Sequence, residues 1–257
     1  MSVVVAPPYL SYEARRDWQL LQAATEDPEP FDPARAGLLP EPARRWLLHA
    51  IAPGTPLLRA VVLETHGTIR LGGWRTFHAT QALLPMVGFV WTATAYVGLL
   101  NVQGFDRYLC GAGEMRWRLM NTIPVMSGTG EDITRSAAGR LASEFVLAPA
   151  VALDPRIRWK PVDDRRVIAC LPVGDEEHEV TLDVAPSGRL TAVTLQRWGN
   201  PDQERYREHP FGARCEGEIT FDGFTLPESL RVGWWPDMER WAEGEFLRFS
   251  IDDALYR

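Results

Sequence analysis

The sequence contains little cysteine. Its 257 residues include three, Cys110, Cys170 and Cys215, and they lie far apart along the chain. Three separated thiols cannot all pair, and their spacing does not fit a zinc site built from paired cysteines. We therefore expect reduced, buried thiols and no disulfide framework.

The chain also lacks a long uninterrupted apolar run. The longest candidate, residues 82–100, is broken by Pro85, and Thr92 and Thr94 alternate with apolar residues in a strand-like pattern. We expect no membrane-spanning helix and no stable membrane insertion. Residues 1–8 have no basic region of the kind that begins a signal peptide, so we expect a cytoplasmic protein.

There is no excess of positive charge. The formal net charge is −7, with 24% charged and 46% hydrophobic residues, the balance of an ordinary globular domain. An acidic surface repels a phosphate backbone, so we expect no nucleic-acid partner. Composition does not indicate the oligomeric state.

Recognisable metal, nucleophile and phosphate motifs are absent as well. The five histidines are scattered, and no paired cysteine motif, P-loop or nucleophile elbow occurs. Gly128 and Gly130 suggest a dinucleotide fingerprint, but its third glycine is missing, and Glu131 and Asp132 would repel a pyrophosphate. We expect no metal and no cofactor, and the sequence assigns no catalytic residue.

The clearest positive signal is an amphipathic helix over about residues 131–147. Ile133, Ala137, Leu141 and Phe145 recur every four residues and form one apolar face. The segments on both sides of this helix are predicted strands. We therefore expect the apolar face to lie on a sheet.

The rest of the chain predicts a mainly β member of the α+β class. Two N-terminal helices are expected over residues 12–24 and 42–50, in a helical segment of residues 1–56 packed on a main domain of residues 57–257. About thirteen strands are expected in that domain, too many to stay flat, so we predict a large, strongly bent antiparallel sheet, a half-barrel or incomplete barrel, with the helix on its concave side. The predicted strands cover residues 59–66, 68–72, 75–83, 87–96, 106–110, 115–120, 157–161, 166–171, 178–184, 190–198, 213–221, 226–233 and 243–251.

Some charged residues and tryptophans stand next to strongly apolar neighbours. Ionisable groups in such places are either solvent-facing members of structural ion pairs or anchors for the polar end of a ligand, and both interpretations stay open. Tryptophan supplies a large apolar area, and a subset of the ten could line a cavity. The predicted ligand-binding residues are Trp91, Trp117, Arg118, Arg140, Glu144 and Arg248.

Several phrases taken together resemble a bacterial domain-of-unknown-function family, with the similarity running from about residue 38 to the end. At the level of fold, the strand order and single covering helix are similar to the half-barrels of lipoprotein-sorting carriers. The family resemblance implies no activity and no catalytic residue. The phrases that carry it lie at residues 39–46, 115–118, 132–142, 159–163, 197–199, 209–212 and 244–249.

The leading hypothesis is a protein that binds a hydrophobic small molecule, of lipid, polyketide or isoprenoid type, in an apolar half-barrel cavity. If the protein is an enzyme, cofactor-independent cyclisation or isomerisation fits best, because an apolar cavity supplies shape and orientation without a recognisable motif. A non-enzymatic interaction or stress-related protein that uses an exposed sheet surface is the first alternative. A metal-free hydrolase is the second.

Overall fold

The computed structural model describes residues 4–23 and 25–257 and shows a mainly β protein. Its helices are short except for the one between the two groups of strands. The α-helices are α1 Tyr12–Leu21, α2 Glu41–Ala50, α3 Glu131–Ser143 and α4 Trp241–Gly244, and 3-10 helices cover Pro33–Leu38, Glu144–Leu147 and Pro149–Leu153.

The strands are long and follow one another with few insertions. They are β1 Val61–Arg70, β2 Trp74–Leu84, β3 Gly88–Val97, β4 Leu100–Leu109, β5 Ala112–Leu119, β6 Ile123–Thr129, β7 Arg158–Pro161, β8 Arg166–Val173, β9 Glu176–Val184, β10 Leu190–Gly199, β11 Arg207–Glu216, β12 Ile219–Phe221, β13 Phe224–Leu226, β14 Ser229–Trp234 and β15 Glu245–Tyr256.

Thirteen of these strands form one antiparallel sheet in the order β6-β5-β4-β3-β2-β1-β15-β14-β11-β10-β9-β8-β7, while β12 and β13 form a separate hairpin. The sheet curls into a half-barrel, as the sequence predicts. Because β6 and β7 are its two edges, α3 and the two 3-10 helices that follow it connect opposite edges across the concave side. This connection holds α3 inside the curve.

Alternation along the strands separates two apolar clusters. On β3, Phe89 and Trp91 belong to the large concave cluster, whereas Val90 between them belongs to a smaller cluster on the outer face. Trp18 of α1 packs into the outer cluster. The two N-terminal helices thus lie on different sides, because Trp46 of α2 packs with the concave cluster.

The predicted amphipathic face of α3 is largely buried. Leu141 and Phe145 are fully buried, and Ile133 and Ala137 nearer the N-terminus are half-buried. The regular helix ends at Ser143, and the remaining predicted residues continue as a 3-10 helix. The first helix ends at Leu21, whereas its predicted end, Ala24, lies outside the described residues.

Some strand and thiol predictions need correction. Strand β1 runs without a break through Gly67, which separates two predicted strands in the sequence. A Cβ at this position would lie 2.0 Å from the carbonyl oxygen of Arg248, so the glycine allows β15 to approach β1 closely and does not form a turn. Strand β6 is not among the predicted strands; it contains Pro124, which an edge strand accepts. The predicted strand of residues 213–221 is divided at Gly217, which has a φ of 64°. Cys110 is exposed in the β4–β5 turn, while the other two thiols are buried.

Candidate functional site

A cavity of about 550 Å³ lies between the C-terminal half of α3 and the concave face of the sheet. This volume is within the range of sites that hold one small molecule. The apolar side chains of its wall come from both halves of the sheet and from the α3 region. They are Leu63, Ile69, Leu71, Phe77, Trp91, Val102, Met115, Trp117, Val125, Met126, Val146, Leu147, Val193, Phe211, Ala213, Leu230, Val232, Phe246, Leu247 and Phe249.

Aromatic rings form two parts of this wall. On the side of β2, β3 and β5, Trp91 lies between Phe77 and Trp117, with ring centroids 6.1 and 5.6 Å apart. On the side of β11 and β15, the rings of Phe211 and Phe246 are 6.3 Å apart. Tilted and edge-to-face arrangements are those that aromatic pairs prefer, so ring–ring contacts help to hold both parts of the wall in place.

Two glycines set the position of α3 over the sheet. A Cβ on Gly113 of β5 would lie 2.7 Å from the Cα of Thr134, and a Cβ on Gly139 of α3 would lie 3.0 Å from the Cγ of Arg197. The backbone N–H of Gly113 also donates to the hydroxyl of Thr134. The N-terminal part of α3 is therefore held close to β5, while its C-terminal half covers the cavity.

A polar cluster reaches the cavity from α3 and β4. The Nε of Arg140 donates to the Oε1 of Glu144 at 2.7 Å, and its Nη1 lies 3.3 Å from the Oδ2 of Asp106. The guanidinium also lies over the rings of Phe89 and Trp91, 4.4 and 5.0 Å from their centroids. Arg140 therefore binds both carboxylates while its flat face packs on the aromatic wall.

The remaining carboxylate oxygens of the cluster are also hydrogen-bonded. The Nε2 of Gln81 donates to the Oε2 of Glu144 at 2.6 Å, and the Nε1 of Trp117 donates to the Oδ1 of Asp106 at 2.9 Å. Gln81 in turn accepts a bond from Arg140. Each oxygen of the two carboxylates thus has a donor within the protein.

Arg197 of β10 is a second cation on the cavity wall. Its Nε donates to the backbone oxygen of Ser136 at 2.9 Å, and its Nη2 lies 3.3 Å from the hydroxyl of the same residue. Its guanidinium is 4.4 Å from the ring centroid of Phe211 and 5.3 Å from that of Trp234. The structure gives it no carboxylate partner among the described residues.

Burial shifts the pKa of two groups in the cavity. Desolvation raises the pKa of the Asp106 carboxyl above its ordinary value, although the charge of Arg140 and the bond from Trp117 oppose this shift. Desolvation, reinforced by the positive charge of Arg140, lowers the pKa of Arg197 to about 9, which leaves it charged at neutral pH. Perturbed groups on a cavity wall are typical of functional sites.

The structure places four of the six predicted ligand-binding residues on the cavity wall, namely Trp91, Trp117, Arg140 and Glu144. Arg118 and Arg248 do not line this cavity. Arg118 follows Trp117 on β5, so its side chain points to the opposite face, where it is exposed beside Ser11.

Arg248 is directed away from the cavity for the same geometric reason. Its strand neighbours Leu247 and Phe249 line the cavity, whereas Arg248 bonds to Glu245 at 2.7 Å and lies over the ring of Trp74. Arg248 thus stands in an ion pair with Glu245 outside this cavity.

Three polar residues of the cavity, Gln81, Asp106 and Arg197, were not predicted from sequence. Arg197 shares its face of β10 with Val193, so strand alternation contained a usable signal. Asp106 points into the cavity, whereas its neighbour Arg107 points to the outer face.

A second, more polar cleft of about 640 Å³ lies along β8 to β11. Its wall includes Glu177, Glu179, Asp183 and Glu208, and has few apolar side chains. Such a surface suits water better than an apolar ligand. The concave cavity is therefore the candidate site.

Within residues 4–23 and 25–257, no group of three or more histidine, cysteine, aspartate or glutamate side chains is arranged to hold a metal ion. In the same part of the chain, no helix has both the length and the apolar character needed to cross a bilayer.

The family comparison agrees with the resemblance in the sequence. The model of a family of unknown function, DUF6544, matches residues 29–246. The similarity therefore starts about nine residues before the expected residue 38 and ends at the second residue of β15. Among curated proteins, none matches this sequence.

Two solved structures show the weak fold-level similarity to lipoprotein-sorting half-barrels. A domain described as an outer membrane lipoprotein-sorting protein, from Vibrio parahaemolyticus, is 9% identical with a TM-score of 0.41. A LolA superfamily protein from Nitrosomonas europaea is 10% identical with a TM-score of 0.42. In both cases the alignment covers 77% of this chain and 85% of the other. No role is transferred from similarity at this level.

Proposed function

The chain belongs to the family of unknown function DUF6544, and from the geometry of its cavity we propose that it binds a hydrophobic small molecule on the concave side of the sheet. A lipid, polyketide or isoprenoid fits the apolar wall. The cytoplasmic location remains a prediction from the sequence.

The observation that carries this proposal is the cavity of about 550 Å³ within an otherwise close-packed concave cluster. Apolar side chains that line an open cavity are in contact with water, and removing such surface from water is favourable in proportion to its area. A large apolar cavity therefore lowers the stability of the fold, and a bound apolar molecule would remove this surface from water. Rigid aromatic rings on two sides favour a ligand with a flat or extended apolar part.

The proposal is tested by filling the cavity from β14. Val232 lines the cavity and is half-buried, so Val232→Trp places an indole in the space that a ligand would take. We expect this variant to bind the neutral fluorescent dye Nile red at least ten times more weakly than the parent, an estimate of about 1.4 kcal/mol. Native mass spectrometry of the parent should also show a retained small molecule.

Thr194→Trp is the matched control, because Thr194 lines the polar cleft and not the cavity. It adds the same indole, and we expect it to bind Nile red as the parent does. Equal binding by parent and Val232→Trp, with both proteins folded, would contradict the proposal.

Cofactor-independent cyclisation or isomerisation is a second candidate, and Asp106 is the observation that favours it. A carboxylate whose pKa is raised by burial is a stronger base, so Asp106 can take a proton from one carbon of a substrate and return it to another, as isomerisation requires. Cyclisation and isomerisation conserve mass, so compounds extracted from the parent and from Asp106→Asn should be compared by chromatographic retention. An enzyme would yield product from the parent and the unconverted isomer from the variant, whereas a simple binding protein would yield the same compound from both.

A further inference from the structure

The charges on the cavity wall are unevenly paired. Asp106 and Glu144 are both bonded to Arg140, and their other oxygens accept from Trp117 and Gln81. The charges and hydrogen-bonding atoms of Asp106, Glu144 and Arg140 are therefore paired within the protein. This group presents neither an unpaired carboxylate nor an unpaired cation to a ligand.

Arg197 differs from this group because its protein partner is uncharged. The Nε and Nη2 of Arg197 donate to the backbone oxygen and the hydroxyl of Ser136, and its Nη1 takes part in neither hydrogen bond. The rings of Phe211 and Trp234 contact the guanidinium but carry no net charge. Within the described residues, no carboxylate lies at ion-pair distance from Arg197.

Burying a cation that has no bonded anion is costly, and the charge of Arg140 adds to this cost. The carboxylates of Glu144 and Asp106, which are bonded to Arg140, offset only part of it from a greater distance. The lowered pKa of Arg197 is a consequence of the same surroundings. An anion inside the cavity would offset the desolvation and could accept hydrogen bonds from the guanidinium.

The rim of the cavity has a further cation, Arg70, in a different environment. It is exposed, and its Nη1 donates to the backbone oxygen of Glu243 at 2.8 Å. Solvent screens an exposed charge, so an anion gains less there than beside a half-buried guanidinium. Arg197 is thus the better anchor.

We propose that the ligand is an amphiphile whose anionic head group, a carboxylate or phosphate monoester, pairs with Arg197 while its apolar chain lies on the aromatic wall. This inference rests on the proposed binding function. Arg197 fixes the polar end, and the apolar wall accepts chains of various shapes.

The test measures displacement of Nile red by dodecanoate, dodecyl phosphate and dodecanol from the parent and from Arg197→Met. The variant keeps much of the side-chain volume and removes the charge and the donors. We expect it to bind dodecanoate or dodecyl phosphate about 10- to 100-fold more weakly than the parent, the range for a lost charge-assisted hydrogen bond. Binding of dodecanol should be unchanged. Comparison of the two anions distinguishes a carboxylate from a phosphate ligand.

Three further variants locate the effect. Arg197→Lys keeps the charge and should recover part of the anion affinity, whereas Arg248→Met removes a paired arginine outside the cavity and should match the parent. Equal dodecanoate and dodecyl phosphate affinities in the parent and folded Arg197→Met would overturn the proposal. It would also be overturned by a loss confined to Arg70→Met.

Failure of the head-group proposal is distinguishable from failure of the binding function. If Nile red binds the parent but not Val232→Trp, the cavity is a binding site, and the anion results then judge Arg197 alone. If Nile red binds both proteins equally, the binding function itself is contradicted.

Discussion

The two faces of the sheet around β4 carry similar kinds of side chain but are filled differently. On the outer face, Trp18 of α1 is fully buried, and Arg107 joins the carboxylates of Asp17 and Glu114. On the concave face, the preceding residue of β4, Asp106, pairs with Arg140 at the border of a cavity of about 550 Å³. Helix α1 packs directly on the outer face, whereas α3 lies over a cavity on the concave face.

The difference teaches that a buried ion pair has different uses on the two faces. Under α1, the pairs lie beside a packed cluster and join the helix to the sheet. Under α3, the pairs lie on the wall of a cavity that costs stability. Natural proteins retain features that cost stability mainly where function requires them. The concave face therefore has the character of a site, and the outer face that of a structural support.

The largest expected effects come from apolar truncations that test the packing of each helix. Trp18→Ala on the outer face should lower the free energy of unfolding by about 3–5 kcal/mol, and Leu141→Ala under α3 by about 2–5 kcal/mol, because both side chains are fully buried. Denaturant titration measures both. A loss below about 0.5 kcal/mol for Leu141→Ala would show that the face of α3 is not packed.

Removing the arginine of each ion-paired cluster should lower the free energy of unfolding by different amounts on the two faces. Arg107→Met leaves Asp17 buried without its cation and Glu114 with only the exposed Arg116, and we expect a loss of about 3 kcal/mol. Arg140→Met leaves Asp106 and Glu144 on a cavity that water can enter, so we expect about 1–2 kcal/mol. Unfolding titrations at neutral pH measure both variants. Equal losses would remove the proposed distinction between the faces.

The smallest effect concerns acid stability, where two carboxylates should have opposite signs. Arg231 and Arg248 lower the pKa of Glu245 to about 2 against the opposing effect of burial, so its contribution is present above its ordinary pKa of 4.5 and is lost as pH falls toward 2. The pKa of Asp106 is raised, so protonation as pH falls relieves a cost instead.

The measurement is the free energy of unfolding against pH for the parent, Glu245→Gln and Asp106→Asn. At pH 7, Glu245→Gln should cost on the order of 2 kcal/mol, reduced by solvent around the two arginines, and this cost should shrink below about pH 4. The difference in free energy of unfolding between the parent and Asp106→Asn should change with the opposite sign, in favour of the parent, as pH falls. Parallel pH curves for all three proteins would contradict both assignments.

The sequence predicted the elements whose signals are local. Periodicity located α3, and alternation on β5 put Trp117 on the face opposite Arg118, although both had been predicted to bind a ligand. Adjacent residues of a regular strand point to opposite faces, so this rule argues against placing both Trp117 and Arg118 in one cavity.

Other features could not be predicted because they depend on distant parts of the chain. Gly67 resembles a turn residue in sequence, and only its approach to the backbone of β15 explains it. Arg197 becomes distinctive only when α3 brings Ser136 against β10 and the carboxylates bind Arg140 instead. Which residues pair with a given charged side chain is decided only when the sheet and α3 have come together.

The position of β15 beside β1 has a consequence for the order of folding. Each half of the sheet consists mainly of hairpins between neighbours in sequence, but β1 pairs with β15, with Val61 opposite Tyr256. Contacts between such distant residues form slowly, because a long loop must close before they contribute stability. We expect the two halves to form first and their junction last, so that the cavity, whose wall draws on both halves, comes into existence only at the final step of folding.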